Sequence, residues 1–232
     1  IHRVDPDIID MQEVLHHQLE VLKTGLPEYT VVGVGREDGK TAGEYAPIFF
    51  KQAKYTLLDQ NTFWLCEKPD SVGMVGWDAA LTRIATWVKL QDKKTGQILM
   101  VVNTHFDHIG TEARRNSALL IIEKIKEIVG TSPAILTGDF NVSEDWDAYK
   151  TITNNEFILK DAHKVAGKRT GVDFTYHNFG KIPAEKCEKI DFIFVTPQIR
   201  VISSYIPFSQ LNDTLFLSDH NPEIVELEIE KS

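Results

Sequence analysis

Five places along the chain join an apolar run to a short polar one. They are Met11-Gln12-Glu13, the stretch from Asn103 to His108, Gly138-Asp139-Phe140-Asn141, Lys189-Ile190-Asp191 and Ser218-Asp219-His220. Together they offer Glu13, His105, Asp139, Asn141, Asp191, Asp219 and His220. A carboxylate beside apolar neighbours is costly to bury unless it is paired or metal-bound, so the repeated pattern points to one shared centre. Several carboxylates without a matching Cys cluster favour oxygen-rich coordination, hence Mg²⁺ or Mn²⁺ rather than structural zinc; no EF-hand spacing is present. A cation in such a site commonly meets phosphate, polarising the P–O bonds and neutralising charge in the transition state. The histidines then have natural work. An Asp–His pair holds one imidazole tautomer and suits a general base that takes a proton from water; His220 and Asp191 are the expected pair, with His105 the donor to phosphate. Order along the chain supplies no distances, so these roles rest on type and position alone.

The elements that must position these tips are legible from periodicity. A short buried stretch at Ile8, Ile9 and Met11 leads into an amphipathic helix carrying Leu15, Leu19 and Leu22, closed near Gly25 and Pro27. A strand from Tyr29 and a polar loop over 36–45 precede the apolar run 47–50. Two strands on either side of Gln60 and Asn61 are expected as a hairpin. Residues 83–92 alternate as a partly covered strand, and a turn through Lys93–Gly96 leads into the strand ending at Asn103-Thr104-His105. Over 111–129, Ala118, Ile121, Ile122, Ile125 and Val129 fall on one helical face, with Thr111 as the expected cap and Gly130 and Pro133 as the stop. A shorter helix is expected within 144–154, and strands at 189–197, 199–207 and within 214–230, the last two elements meeting at a loop that carries Ser218-Asp219-His220. Hairpin-like units with a few covering helices indicate mixed α/β.

The chain has 232 residues, 42% hydrophobic, enough for one sizeable core, and it is expected to form one domain over 1–232. No apolar run reaches the roughly 18 residues a membrane span requires. A formal charge of −9, from 25 basic and 34 acidic residues, disfavours broad binding to long nucleic acid. It leaves room for a phosphate-bearing substrate, since a divalent cation supplies positive charge locally. Cys66 and Cys187 are too few for a disulfide framework and are expected as free thiols. The first residue is not Met, so periplasmic or exported and cytoplasmic locations stay equally open.

The ordered set Gln12-Glu13, "NTHFDH", "GDFN", "KIDFIFV" and "LSDHNP" resembles the endonuclease/exonuclease/phosphatase superfamily, metal-dependent phosphohydrolases related to DNase I. "GWDAALTRIATWVKL" with "NTHFDHIGTEARRNSA" is similar to a bacterial branch of uncharacterised or exported members. The resemblance implies a four-layer α/β/β/α sandwich with two facing mixed, largely antiparallel sheets and an active site at one edge. It implies that Glu13, Asp219 and Asp139 hold Mg²⁺, with Mn²⁺ as the substitute. It further implies His105 on the scissile phosphate, Asn141 on the phosphoryl oxygens, Asp139 at the leaving group, and Asp191 orienting the base His220. Arg36, Trp77, Arg83, Asp107 and His177 lie in segments that could border the cleft and are expected to bind substrate. Superfamily members begin with an Asn-bearing strand, and none precedes Ile1, so additional N-terminal residues are expected. The expected activity is phosphoester hydrolysis on a small phosphorylated molecule by a monomer. A nuclease on DNA or RNA and a non-catalytic binding module are the alternatives.

Overall fold

Leu99 to His105 are all buried, because layers cover both faces of the strand they form. The structure, a computed structural model, describes all residues except 131, 155–158, 209, 213–214 and 230–232. In chain order the elements are β1 (Ile8–Asp10), α1 (His16–Gly25), β2 (Tyr29–Val32), β3 (Ile48–Lys51), β4 (Tyr55–Trp64), β5 (Ile84–Asp92) and β6 (Ile98–His105). There follow α2 (Thr111–Val129), β7 (Ala134–Asp139), α3 (Asp147–Thr153), β8 (Lys160–Asp161), α4 (Ala162–Val165) and β9 (Lys168–Gly171). The last are β10 (Asp191–Val195), β11 (Ile199–Ile206), β12 (Gln210–Asn212), β13 (Leu215–Phe216) and β14 (Ile224–Ile229).

The central layer is a six-stranded sheet in the order β4-β5-β6-β7-β10-β8. It is mixed: β6 and β7 run parallel through the α2 crossover, and the other pairs are antiparallel. Side chains alternate between two cores with the period of two that a strand imposes. Met100, Val102, Leu136, Phe192 and Phe194 pack toward Ile121, Ile122 and Ile125 of α2. Leu99, Val101, Ile135 and Val195 pack the other way, toward Ile48 and Phe50 of β3. Each fully buried Ile or Phe contributes about 1.5–3 kcal/mol. The second layer comprises β1-β3-β2 and β14-β11-β9, and α1 covers its outer face where Leu19 meets Tyr45 and Phe49. The four layers that the family resemblance implies are thus present. No helix among the described residues is long and apolar enough to cross a membrane, and both cysteines are free.

Three local expectations need correction. The hairpin around Gln60 and Asn61 is one continuous strand, β4, which pairs with β5 from Tyr55 to Trp64 through a bulge between Leu57 and Asp59. Its polar middle is exposed because β4 is the edge of the sheet, where polar side chains cost little. β5 is buried on both faces from Ile84 to Val88, not partly covered. Thr111 does not cap α2. Gly110 is the cap residue, and the Asp78 carboxylate, far away in sequence, accepts from the backbone N–H of Glu112 and Ala113. The short elements β8, α4, β9 and β12 carry too few residues for a periodic signal.

Gly138 shows why β7 carries a glycine one residue before its polar tip. A Cβ built there would lie 2.3 Å from the Thr104 carbonyl oxygen on β6. That close approach aligns the ends of the two strands. Gly138→Ala is expected to force β6 and β7 apart at about 1–3 kcal/mol, read as a fall of several degrees in melting temperature.

Candidate active site

Strand register assembles the first three groups. His105 at the end of β6 is the parallel partner of Asp139 on β7, and Asp139 is the antiparallel partner of Asp191 on β10. Register partners share a face, so the three side chains form one row at the edge of the sheet, on the side facing the second layer. Asp139 and His105 are buried, and His105 Nε2 lies 3.5 Å from Asp139 Oδ2.

His220 is brought to this row from the other side. Its ring lies tilted against that of Tyr176, centroids 4.9 Å apart, and the Tyr176 backbone bridges both Glu188 and His220; Thr175 Oγ1 accepts from the N–H groups of Ile190 and Asp191. The 174–178 segment therefore pins the Asp219–His220 loop to the base of β10. His220 Nδ1 lies 2.7 Å from Asp191 Oδ2, and its Nε2 lies 4.0 Å from Asp139 Oδ2. Behind Asp191, the buried Lys189 ammonium donates to the Asp191 carbonyl at 2.7 Å and to Glu223 at 2.8 Å, and Glu223 accepts from Ser204. This ion pair anchors the strand end that carries the dyad.

The pKa directions follow from these contacts. Burial pulls His220 down, but the hydrogen bond and charge of Asp191, with Asp139 and Asp219, hold it up at about 9. Burial pushes Asp139 up, and the neighbouring Asp191 charge pushes it further. His105 is held well below the usual histidine range by burial and by Arg83 and Arg36, so it is neutral. A general base must be unprotonated, so the His220 value places the acidic limb of a pH–rate profile at or below about 9. Asp191→Asn removes the leading influence that raises it. The expected result is an acidic limb moved to lower pH together with a plateau lowered roughly 10²-fold or more, measured as kcat/KM against pH.

Asn141 sits two residues past β7 with φ 50°, a conformation Asn tolerates better than most residues. Its N–H donates to Asp139 Oδ1 at 2.8 Å. Its side-chain amide donates to the Phe106 carbonyl at 3.0 Å, which fixes the nitrogen on that side, and the same nitrogen lies 3.1 Å from His105 Nε2. His105 Nε2 is therefore the acceptor and the ring proton sits on Nδ1. The amide is used in orienting His105 rather than left free for phosphoryl oxygens.

Glu13 follows β1 with φ 59°. Its loop is tied to β6 through Asn103, which accepts from Gln12 at 2.7 Å and donates to the carbonyls of Met11 and Pro47. Glu13 Oε1 lies 4.0 Å from His105 Nε2. Ligand atoms of Glu13, Glu44 and His105 lie within 4.8 Å of one another, as do those of Asp139, Asp191 and His220. Glu44 escaped the sequence reading. It shares the pattern of a carboxylate beside an apolar run, but at the start of Tyr45–Phe50 rather than at a strand end. Burial pushes Glu13 up, and the charges of Glu44 and Asp219 add to it. Asp219 lies outside both groups: its carboxylate accepts from the Ser218 hydroxyl at 3.4 Å, while its backbone carbonyl accepts from His177 and Asn178.

Of the five residues expected to bind substrate, two reach this centre. Arg36 is buried and paired with Glu44 at 2.5 Å; Arg83 is buried with Nε 3.5 Å from Asp107. Both border a small cavity shared with His105. The other three are placed differently. Asp107 does not continue the alternation from His105, because β6 ends at His105; its carboxylate accepts from the backbone N–H of Ala80, Leu81, Ile109 and Gly110. Burial works against its ionisation, yet these bonds and Arg83 hold it far below the usual carboxylate range. Trp77 is half-buried in its loop, with φ 48° and its backbone N–H donating to Glu67. His177 is buried against Phe208 and Phe216.

The endonuclease/exonuclease/phosphatase family model matches residues 1–220. The chain belongs to that family. A solved endonuclease/exonuclease/phosphatase from Bacteroides vulgatus is 63% identical, with a TM-score of 0.96 over 99% of this chain and 87% of the other. A Bacteroides thetaiotaomicron structure described as a mannosyl-6-phosphatase is 37% identical, with a TM-score of 0.91 over 98% of this chain and 87% of that one. An uncharacterized protein of Acanthamoeba polyphaga mimivirus is 28% identical over 98% of this chain and 88% of its own length. Phosphoesterase or nuclease chemistry is what this family membership supports, and the acidic and histidine groups described above suit the divalent metal on which the family generally depends.

Proposed function

We propose that this family member is a Mg²⁺-dependent phosphoester hydrolase acting on a small phosphorylated molecule. The observation that carries the reading is the Asp191–His220 dyad, 2.7 Å apart, whose free Nε2 lies 4.0 Å from Asp139 in the same row as neutral His105. The donor set fits a hard cation: Glu13 and Glu44 offer oxygens close together, and their mutual repulsion on a partly buried site is relieved by positive charge. Glu13 and Glu44 would hold the ion, with Asp139 and Asp219 nearby. When bound, it supplies the charge that polarises the phosphoryl oxygen.

The chain's own residues account for the rest. His220 Nε2 takes a proton from the attacking water, and Asp191 keeps its ring in one tautomer. Asp139, held protonated by burial and by Asp191, gives its proton to the departing alkoxide. Asn141 and Asp139 orient His105, which faces the phosphoryl group as a neutral ring. The acidic balance of −9 favours a compact substrate over long nucleic acid. The test is a panel of phosphomonoesters, phosphodiesters and single-stranded DNA with Mg²⁺ and with chelator. Hydrolysis of the small esters that falls at least about 10²-fold on chelation and returns with Mg²⁺ is expected. Cleavage of DNA alone would overturn the substrate reading, and undiminished turnover in chelator would overturn the metal.

A further inference from the structure

The Glu13 side chain is 66% exposed, so packed neighbours do little to aim its carboxylate. Its backbone does the aiming. At φ 59° that backbone holds a left-handed conformation which a non-glycine residue keeps only where its surroundings enforce it. Two ties flank the residue. On one side Gln12 Nε2 donates to Asn103 Oδ1 at 2.7 Å. On the other, the Tyr45 N–H donates to the Val14 carbonyl at 2.8 Å, in a bridge that draws Glu44, one residue before Tyr45, alongside Glu13.

Asn103 is the fixed point of this arch. It is 0% exposed, on β6, two residues before His105 and on the same face of the strand. Its Nδ2 donates to the Met11 carbonyl at 2.7 Å and to the Pro47 carbonyl at 2.9 Å, which uses both amide hydrogens. Only its oxygen is left to face Gln12. The Met11 N–H also donates to the Pro47 carbonyl, at 3.2 Å. One buried carboxamide thus ties the segment ending in Glu13 and the segment following Glu44 to the strand that ends in His105. The ligand atoms of those three residues lie within 4.8 Å of one another.

We propose that Asn103, acting through Gln12, is a positioning residue that sets the affinity of Glu13 and Glu44 for the divalent cation. The proposal rests on the metal assignment of the hydrolase reading above. Two carboxylates held side by side before the ion arrives repel each other. Released from the arch, Glu13 swings into solvent and must be ordered again when the ion binds. Groups one step removed from a metal commonly carry about 10–100-fold in its affinity.

The experiment titrates Mn²⁺ into the metal-free wild type, Gln12→Met and Asn103→Ser. Ile121→Val, in the core beneath α2, is the control for stability alone. Calorimetry gives the dissociation constant and chelator-treated protein the melting temperature. Hydrolysis of a small ester against Mg²⁺ gives the activation constant and the saturated kcat. Gln12→Met is expected to raise the Mn²⁺ dissociation constant about 10–100-fold, and the Mg²⁺ activation constant in step, while saturated kcat changes less than about 3-fold. Ile121→Val should melt lower with its Mn²⁺ constant unchanged. Asn103→Ser should weaken binding at least as much as Gln12→Met; if it fails to fold, Gln12→Met decides. A Mn²⁺ constant within about 3-fold of wild type in folded Gln12→Met, or an equal loss in Ile121→Val, overturns the proposal. So does a loss confined to saturated kcat. A wild type that binds no Mn²⁺ overturns the metal assignment and the proposal with it. A wild type that binds Mn²⁺ but cleaves no ester overturns only the hydrolase reading, and the binding constants still decide the role of Asn103.

Discussion

His220→Ala is expected to leave a folded protein whose phosphoester turnover is about 10²–10⁴-fold slower, the usual worth of a positioned base. His220 is the imidazole with a carboxylate on Nδ1 at 2.7 Å and its other nitrogen directed at the catalytic row. His105 cannot substitute, since its Nε2 is engaged by Asn141 and its proton lies on the far nitrogen. Loss of the ring also strands Asp191 near Asp139, so a modest fall in melting temperature should accompany the kinetic loss. Because Asp191 acts through the ring, adding Asp191→Asn to His220→Ala should cost little more. Circular dichroism confirms the fold, and kcat/KM decides the role. Turnover within about 3-fold of wild type would remove His220 from the mechanism.

Asp139→Asn should separate stability from activity. In the metal-free protein Asp139 is buried beside Asp191 and its pKa is raised. A carboxyl whose folded pKa exceeds its unfolded value costs nothing below the unfolded value of about 4 and destabilises increasingly as pH rises above it. His220 acts in the same direction, because its raised pKa contributes stability below about 6.5 that is lost as pH rises through about 9. The metal-free wild type should therefore melt at falling temperature between about pH 4 and 9. Asparagine keeps the shape and removes the charge, so Asp139→Asn should melt several degrees higher at pH 8 and show a flatter dependence on pH. Its hydrolysis rate should drop about 10²–10⁴-fold, since an amide has no proton to give the leaving group. A variant no more stable than wild type at pH 8, yet fully folded, would contradict the buried-charge account.

Much of this centre was legible because strand tips are rigid and carboxylates rarely border apolar runs by chance. Glu13, His105, Asp139, Asp191 and His220 each mark such a boundary, and register alone aligns three of them. The apolar face of α2 was equally plain, since Ala118, Ile121, Ile122, Ile125 and Val129 are all buried at helical spacing. Glu44 was missed because it sits in the polar loop ahead of β3, where an acid usually faces water. Asp107 was expected at the cleft, but β6 ends at His105 and the turn after it hands the Asp107 carboxylate to backbone N–H groups.

What the sequence determined by itself was the mixed α/β class and the polar strand tips of the site, since residue type at strand ends and the periods of two and 3.6 are local properties of the chain; the layers were implied by the family resemblance. What only the tertiary structure decided was partnership. The choice of Asp191 for His220, of Asp78 rather than Thr111 for the start of α2, and of Arg36 with Arg83 around one cavity all depend on contacts between residues 29 to 47 positions apart. Packing of separate elements sets those distances, and no spacing along the chain encodes them.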